Sequence, residues 1–142
     1  MKKLMFVASV VFVAGSLFAV ATKRTYRDAQ GRNMGSASMD SSGRATYRDA
    51  QGRNLGSSTM IGSRTTYRDS LGRNQGSATT DSSGNMTYRD SQGRMMGTAR
   101  IDSTGMVTYR DAQGRLQGTA MTDSSGRMVY RDTRGRLQGT KK

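Results

Sequence analysis

Beyond residue 22, short segments rich in Thr, Tyr, Arg and Met alternate with turn signals that contain Gly. The segments are about five to eight residues long and contain no Pro. None repeats apolar residues at the helical spacing i, i+3, i+4, i+7, and each meets a Gly too soon for a helix. The pattern therefore predicts short β-strands joined by tight turns.

The turn signal is Asp-x-x-Gly, which occurs ten times, first at Asp28 and Gly31. Asp at the first position accepts backbone hydrogen bonds, and Gly at the fourth tolerates positive φ. This sequence is typical of a type I turn closed by a glycine bulge, a common hairpin connection. A variant turn at residues 60–63 brings the turns to eleven, which would join about twelve strands.

These strands and turns form a unit that is copied six times. Tyr recurs at spacings of 21, 20, 21, 21 and 21 residues, always followed by Arg-Asp and, four residues after the Asp, by another Arg. A fixed period of 20 to 50 residues is the signature of a repeat architecture. We therefore assign residues 22–142 to six tandem repeats of 20–21 residues, the second being one residue short.

The repeat predicts an all-β fold: an elongated single-layer antiparallel β-meander of about six 21-residue, two-strand repeats. Cross-strand pairs such as Tyr over Gly would stabilise it. An odd period places successive Tyr residues on opposite faces unless the two turns differ, because side chains alternate along a strand. A β-solenoid with one coil per repeat is an alternative. A largely disordered chain is another, since residues 22–142 contain only eight Val, Ile and Leu residues.

Two known families carry similar motifs. Residues 111–116 and 132–137 read Asp-x-x-Gly-Arg-Leu, which resembles the heart of the YD (Rhs-type) repeat, although Arg110 and Arg131 separate Tyr from Asp here. The pattern Gly-Arg-x-x-Gly with an upstream Tyr is similar to MORN-type hairpin repeats. Both resemblances imply sheets built from hairpins. The MORN-type resemblance implies a binding or scaffolding surface, and neither implies a catalytic residue.

Residues 1–21 have the three-part layout of a secretory signal peptide. Lys2 and Lys3 precede an apolar run, and Ala19 and Ala21 form an A-x-A cleavage site. The run is short for a membrane span of about 20 residues, although an uncleaved N-terminal anchor is the alternative. The layout predicts an exported protein of the periplasm, cell surface or extracellular space, with no transmembrane span after cleavage.

The composition excludes most enzyme mechanisms. The chain has no His, Cys or Glu, so it lacks the commonest general base, the thiol nucleophile and most metal ligands. The Asp residues recur in equivalent turns and define no singular site. Gly-Gly-x-Gly-x-Asp, the calcium-binding nonapeptide motif, does not occur. The Met residues fall where a strand needs an apolar side chain. We expect no catalytic residue, no metal and no cofactor.

Positive charge is the strongest functional signal. Residues 22–142 carry 21 basic and 10 acidic residues, a formal net charge of +11, and most of the cations are Arg. Arg suits bidentate contact with phosphate or carboxylate, and Tyr interleaved with Arg would complete such a surface. The predicted polyanion-binding residues are Arg27, Arg32, Arg48, Arg53, Arg68, Arg73, Arg89, Arg94, Arg110, Arg115, Arg131, Arg136, Tyr26, Tyr47, Tyr67, Tyr88, Tyr109 and Tyr130.

Two functions follow from this surface. The first is a structural or surface-interaction role in the bacterial cell envelope, with self-association through the sheet edges. The second is a soluble binding module for an anionic polymer: lipopolysaccharide, a cell-wall polymer or DNA. The expected partners are an anionic envelope polymer or lipid, with nucleic acid less favoured.

The signal-peptide layout makes a direct prediction about the exported protein. Cleavage after Ala21 removes Lys2 and Lys3 and leaves Thr22 as the first residue. Intact-mass spectrometry of protein recovered from the periplasm or medium should show this N-terminus. Exported protein that still begins at Met1 would contradict cleavage and favour the anchor.

Overall fold

The computed structural model describes residues 23–142, and the predicted signal peptide lies outside this range. The described residues form twelve antiparallel β-strands and no helix. The strands are β1 (Lys23–Asp28), β2 (Asn33–Met39), β3 (Arg44–Asp49), β4 (Asn54–Ile61), β5 (Arg64–Asp69), β6 (Asn74–Thr80), β7 (Met86–Asp90), β8 (Met95–Ile101), β9 (Val107–Asp111), β10 (Leu116–Thr122), β11 (Met128–Arg131) and β12 (Leu137–Lys141).

The sheet is a closed barrel in which every strand pairs with its neighbours in the chain. β1 also pairs antiparallel with β12, with Tyr26 opposite Lys141 and Asp28 opposite Gly139. The predicted antiparallel hairpins are therefore confirmed. The open, elongated meander is wrong, and so is the β-solenoid. Twist and bulges curve the sheet, and the β1–β12 pairing satisfies backbone groups that an open sheet would leave unpaired.

A β-bulge in each repeat resolves the problem posed by the odd period. In the first hairpin Tyr26 faces Gly35, but the next residue, Arg27, faces Asn33, so Met34 is an extra residue on β2. The same register shift occurs between Tyr and Arg in the hairpins that begin with β3, β5, β7 and β11, and β9–β10 shifts at the equivalent place. The extra residue restores the alternation of faces, so all six Tyr residues point into the barrel.

The turns have the predicted geometry. In the first, the Gly31 amide donates to the Asp28 carbonyl, the Asp28 amide donates to the Arg32 carbonyl, and Gly31 has a φ of 79°. The other nine Asp-x-x-Gly turns repeat both hydrogen bonds. In the short second repeat, Ile61 pairs with Arg64, so a two-residue loop replaces the usual three-residue loop. The second repeat is therefore shorter because its turn lacks one residue, and the direction in which the strand side chains point is unchanged.

The barrel interior is built from Tyr and small side chains. Each Tyr faces a Gly on one neighbouring strand, as Tyr88 faces Gly97, and on its other side Tyr88 faces Ala78. Ala78 and Ala99 are 1% and 2% exposed. The buried cluster is concentrated on one side of the barrel and consists of Tyr67, Ala78, Met86, Ala99, Val107, Ala120 and Tyr130. Small residues between the Tyr rings let a barrel with few aliphatic residues fill its interior.

Gly97 tests this packing because it lies where two strands approach closely. Its φ is outside the left-handed region, but an added Cβ would overlap the carbonyl oxygen of Arg110 on β9. Backbone cannot move aside like a flexible side chain, so Gly97→Ala should destabilise the protein by about 1–3 kcal/mol. Denaturant unfolding measures this change.

Gly93 provides the matched control. It adopts a φ of 84° in an open turn, with no atom within 4 Å of the position that a Cβ would take, and Asn tolerates this conformation. Gly93→Asn should therefore change the free energy of unfolding much less than Gly97→Ala. Equal stability of the Gly97→Ala variant and the unmodified protein would contradict the close-approach argument.

Candidate functional site: an arginine ring at one end of the barrel

The barrel gathers twelve arginines at one end. The turns that follow β1, β3, β5, β7, β9 and β11 share this end because the strands run alternately up and down. At each of these turns, one Arg follows Tyr near the end of the strand that enters the turn and one Arg follows the turn Gly, and all are exposed. We call this set the arginine ring: Arg27, Arg32, Arg48, Arg53, Arg68, Arg73, Arg89, Arg94, Arg110, Arg115, Arg131 and Arg136.

The Arg after Gly is oriented by the Asp of its own turn. Arg32 Nε lies 2.7 Å from Asp28 Oδ2, and the Arg32 side chain is 77% exposed. The five equivalent pairs have Nε–Oδ2 distances of 2.6–2.9 Å. Because Asp engages Nε, the two terminal nitrogens remain at the surface, although Arg53 and Arg115 also donate to a nearby Gln. The guanidinium therefore has a fixed orientation and donors for an external anion.

The Arg after Tyr is held by the same turn from its other side. Arg27 Nη1 donates to the Gly31 carbonyl at 2.8 Å. The corresponding bonds in the other five turns measure 2.8–2.9 Å. Both arginines of a hairpin are thus attached to one rigid turn, which reduces the side-chain entropy that binding would otherwise cost.

The turn carboxylates stay ionised and neutralise only half of the ring. A hydrogen bond from Arg94 Nε, supported by the backbone amides of Arg94 and Gln92, holds the pKa of Asp90 below its usual range against a desolvation effect. The pKa values of the other five Asp residues in these turns are also lowered. Twelve arginines and six Asp leave +6, and Arg134 in the last turn makes the formal charge of this end +7.

The structure does not place the tyrosines with the arginines. Successive residues of a strand point to opposite faces, so Tyr26 points into the barrel while Arg27 lies outside. Tyr26, Tyr67 and Tyr130 are 9% exposed or less, and Tyr47, Tyr88 and Tyr109 are partly buried. The twelve predicted Arg residues therefore form one surface, and the six predicted Tyr residues form the interior.

Exposed apolar residues also lie at this end, which the sequence reasoning did not identify. They follow the turns or occupy the bulges, and they are 37–74% exposed. The sequence does mark these residues: six of them are apolar side chains at the first or second position after Gly-Arg, and one lies within an Asp-x-x-Gly turn. The residues are Met34, Leu55, Leu71, Met95, Met96, Leu116 and Leu137.

Two further features concern metals and membranes. Residues 23–142 contain no group of three or more acidic, His or Cys side chains that could hold a metal ion. Over the same residues, no helix has the length and apolar character needed to cross a bilayer.

Comparisons with known proteins assign no family. No protein-family model and no curated protein matches the sequence. One solved structure that matches is the crystal structure of BamB from Moraxella catarrhalis, with 10% sequence identity and a TM-score of 0.30. The match covers 77% of this chain, and the chain spans 54% of the BamB chain.

The buried tyrosines make stability sensitive to alkaline pH. Burial raises the pKa of Tyr47 to about 12, against the opposing effect of a hydrogen bond between the Tyr47 and Ser58 hydroxyls, and it raises the pKa values of the other five tyrosines further. Unfolded Tyr ionises near pH 10, so the unfolded state loses protons first and stability falls above that pH. Tyrosinate absorbance and strand circular dichroism should therefore change together above pH 10.

Tyr109→Phe provides a matched variant. The Tyr109 hydroxyl is buried without a hydrogen-bond partner in the structure, so its removal leaves no partner unsatisfied. The variant should remain folded to higher pH than the unmodified protein. Ionisation of all six tyrosines near pH 10 without loss of strand signal would contradict their burial.

Proposed function

We propose that this protein is a non-enzymatic interaction protein that binds an anionic polymer through the arginine ring. The observation that carries the proposal is the convergence of twelve exposed, turn-anchored arginines on one end of a closed barrel. Arg binds phosphate, sulfate and carboxylate groups with paired hydrogen bonds, and these groups are the repeating charges of anionic polymers.

The charge distribution favours the ring over the rest of the barrel. The ring end carries +7 of the +11 formal charge of residues 23–142, and the rest of the barrel, including its interior, carries the remaining +4. Clustered charge of one sign raises the local concentration of an oppositely charged partner. Neighbouring hairpins lie two strands apart, about 10 Å, so a flexible polymer can contact several of them at once and gain affinity by multivalency.

The exposed Leu and Met side chains narrow the choice of polymer. They lie among the arginines, so the surface combines cationic and apolar contacts. Lipopolysaccharide carries both phosphate groups and acyl chains, whereas DNA offers phosphate with few exposed apolar groups. We therefore favour lipopolysaccharide over DNA as the polymer, and a cell-wall polymer remains the alternative.

The proposed setting is a surface interaction in the cell envelope after export. Self-association through sheet edges has no free strand to use among residues 23–142, because β1 and β12 are paired. Interaction through the ring needs no opening of the barrel. This makes partner binding, rather than assembly into a continuous sheet, the role that the barrel favours.

Charge-matched variants test the proposal. Replacing Arg32, Arg73, Arg94 and Arg136 with Gln removes four charges from the ring, whereas replacing Arg44, Arg64, Arg100 and Arg127 removes four from elsewhere on the barrel. The ring variant should bind lipopolysaccharide more weakly, and its slope of log Kobs against log salt should fall by about one per lost contact. The control should retain most of its affinity.

Titrations of lipopolysaccharide, soluble cell-wall polymer and duplex DNA across a salt series separate the partners. Circular dichroism shows whether each variant is folded, and we expect the ring variant to fold because exposed ion pairs contribute about 0–1 kcal/mol each. Equal loss of affinity in both variants would mean that total charge decides binding. Affinity that does not change with salt would overturn the electrostatic proposal.

A further inference from the structure

Two interior positions at the β1–β12 junction break the pattern of the repeat. At the position two residues before Tyr, the five later repeats carry, in chain order, Ala, Thr, Met, Val and Met, whereas β1 carries Arg24. At the position that faces Tyr from the preceding strand the repeats carry Ala or Ser, but β12 carries Lys141. The barrel thus places two cations where its other strands have small or apolar side chains.

The register brings these cations together inside the barrel. Lys141 faces Tyr26 on β1 and Met128 on β11, and only 3% of its surface is exposed. Arg24 precedes Tyr26 by two residues, so it points to the same inner face. Arg24 also interacts electrostatically with Lys141. The two side chains therefore share one region of the interior, towards the end opposite the arginine ring.

In the part of the chain that the structure describes, no carboxylate neutralises this pair. Within residues 23–142, neither Arg24 nor Lys141 forms an ion pair with an Asp, and neither side chain forms a hydrogen bond. The other titratable groups facing them are Tyr26 and Tyr130, which burial keeps neutral. The Tyr130 hydroxyl is itself buried without a hydrogen-bond partner.

Such a lysine is costly to the fold. Desolvation, together with the charge of Arg24, lowers the pKa of Lys141 to about 7. The equivalent Ala37, Ala78 and Ala120 show that this position of the barrel is filled without a charge. Since burial of an unpaired cation opposes folding, an anion that bound beside it would relieve a cost already present in the structure.

The barrel interior is also asymmetric in polarity. The apolar cluster lies along β5–β11 and includes Met86 and Val107 at the position equivalent to Arg24. The opposite side, from β12 through β1 to β4, also has Tyr26, Ala37 and Ala45 buried, but it adds the buried Lys141 and Ser58 and the half-buried Arg24. A charged ligand therefore has one side of the interior with suitable contacts.

We propose that Arg24 and Lys141 form an internal binding site for a small oxyanion, a carboxylate or phosphate group. The guanidinium offers paired donors and the ammonium a compact charge, and the Tyr130 hydroxyl is a further donor close by. The site is separate from the arginine ring and does not depend on the proposed function. Two cationic side chains suit a single anionic group, either a free ion or the charged end of a small molecule.

Anion-dependent stability tests the site. Thermal unfolding is measured near neutral pH with increasing inorganic phosphate or acetate, at constant ionic strength set by chloride. The unmodified protein should be stabilised in a saturable manner. Lys141→Ala, which installs the residue of the other repeats, should weaken the apparent affinity at least tenfold and should be more stable without added anion. Arg24→Thr should weaken the affinity as well.

Two controls separate the site from general ion effects. Lys142→Ala removes an adjacent exposed charge and should respond to anions like the unmodified protein, as should the four-Gln variant of the arginine ring. If Lys141→Ala responds like the unmodified protein, the site does not exist. Response to phosphate alone or to acetate alone identifies which oxyanion the site accepts.

A second measurement needs no substitution. The Lys141 side chain is titrated by NMR in the unmodified protein with and without phosphate or acetate. A bound anion stabilises the ammonium, so the pKa of Lys141 should rise when the anion is present. An unchanged pKa at saturating phosphate and acetate would overturn the proposal, whatever the variants do.

Discussion

The alternation of side chains along a β-strand is the constraint on which this structure depends. A 21-residue unit would turn successive Tyr residues to opposite faces. The bulge opposite Arg27, and its equivalents in the other hairpins, inserts one residue per repeat and returns every Tyr to the interior. The same bulges add curvature, so one local device both selects the inner face and helps to close the sheet.

Closure then determines what each part of the repeat does. With Tyr and Ala inside, the adjacent Arg residues must lie outside, and the up-and-down path collects their turns at one end. The Asp of each turn accepts hydrogen bonds from the turn backbone and from Arg Nε, as Asp28 does with Arg32. The interaction that builds the hairpin is therefore also the one that orients half of the candidate binding surface.

Much of the fold could be predicted from short sequence motifs. Asp-x-x-Gly located ten turns and their conformation, because both residues act on backbone groups within the turn itself. The pairing of Tyr with Gly was predicted as well and is observed, as in Tyr88 opposite Gly97. The candidate site was predicted only in part: its twelve arginines were identified, but Tyr was expected beside them and lies inside. The inward direction of Tyr depends on curvature, which local pattern does not specify.

The sequence alone determined the strands, the turns, the antiparallel order and the excess of Arg, because each of these depends on residues within one or two repeats. Closure of the sheet, the filling of the interior by Tyr and the meeting of Arg24 with Lys141 required the folded chain. These features depend on the pairing of β1 with β12, whose residues are more than 100 positions apart. That pairing results from twist and bulges summed over twelve strands, and no single repeat contains it.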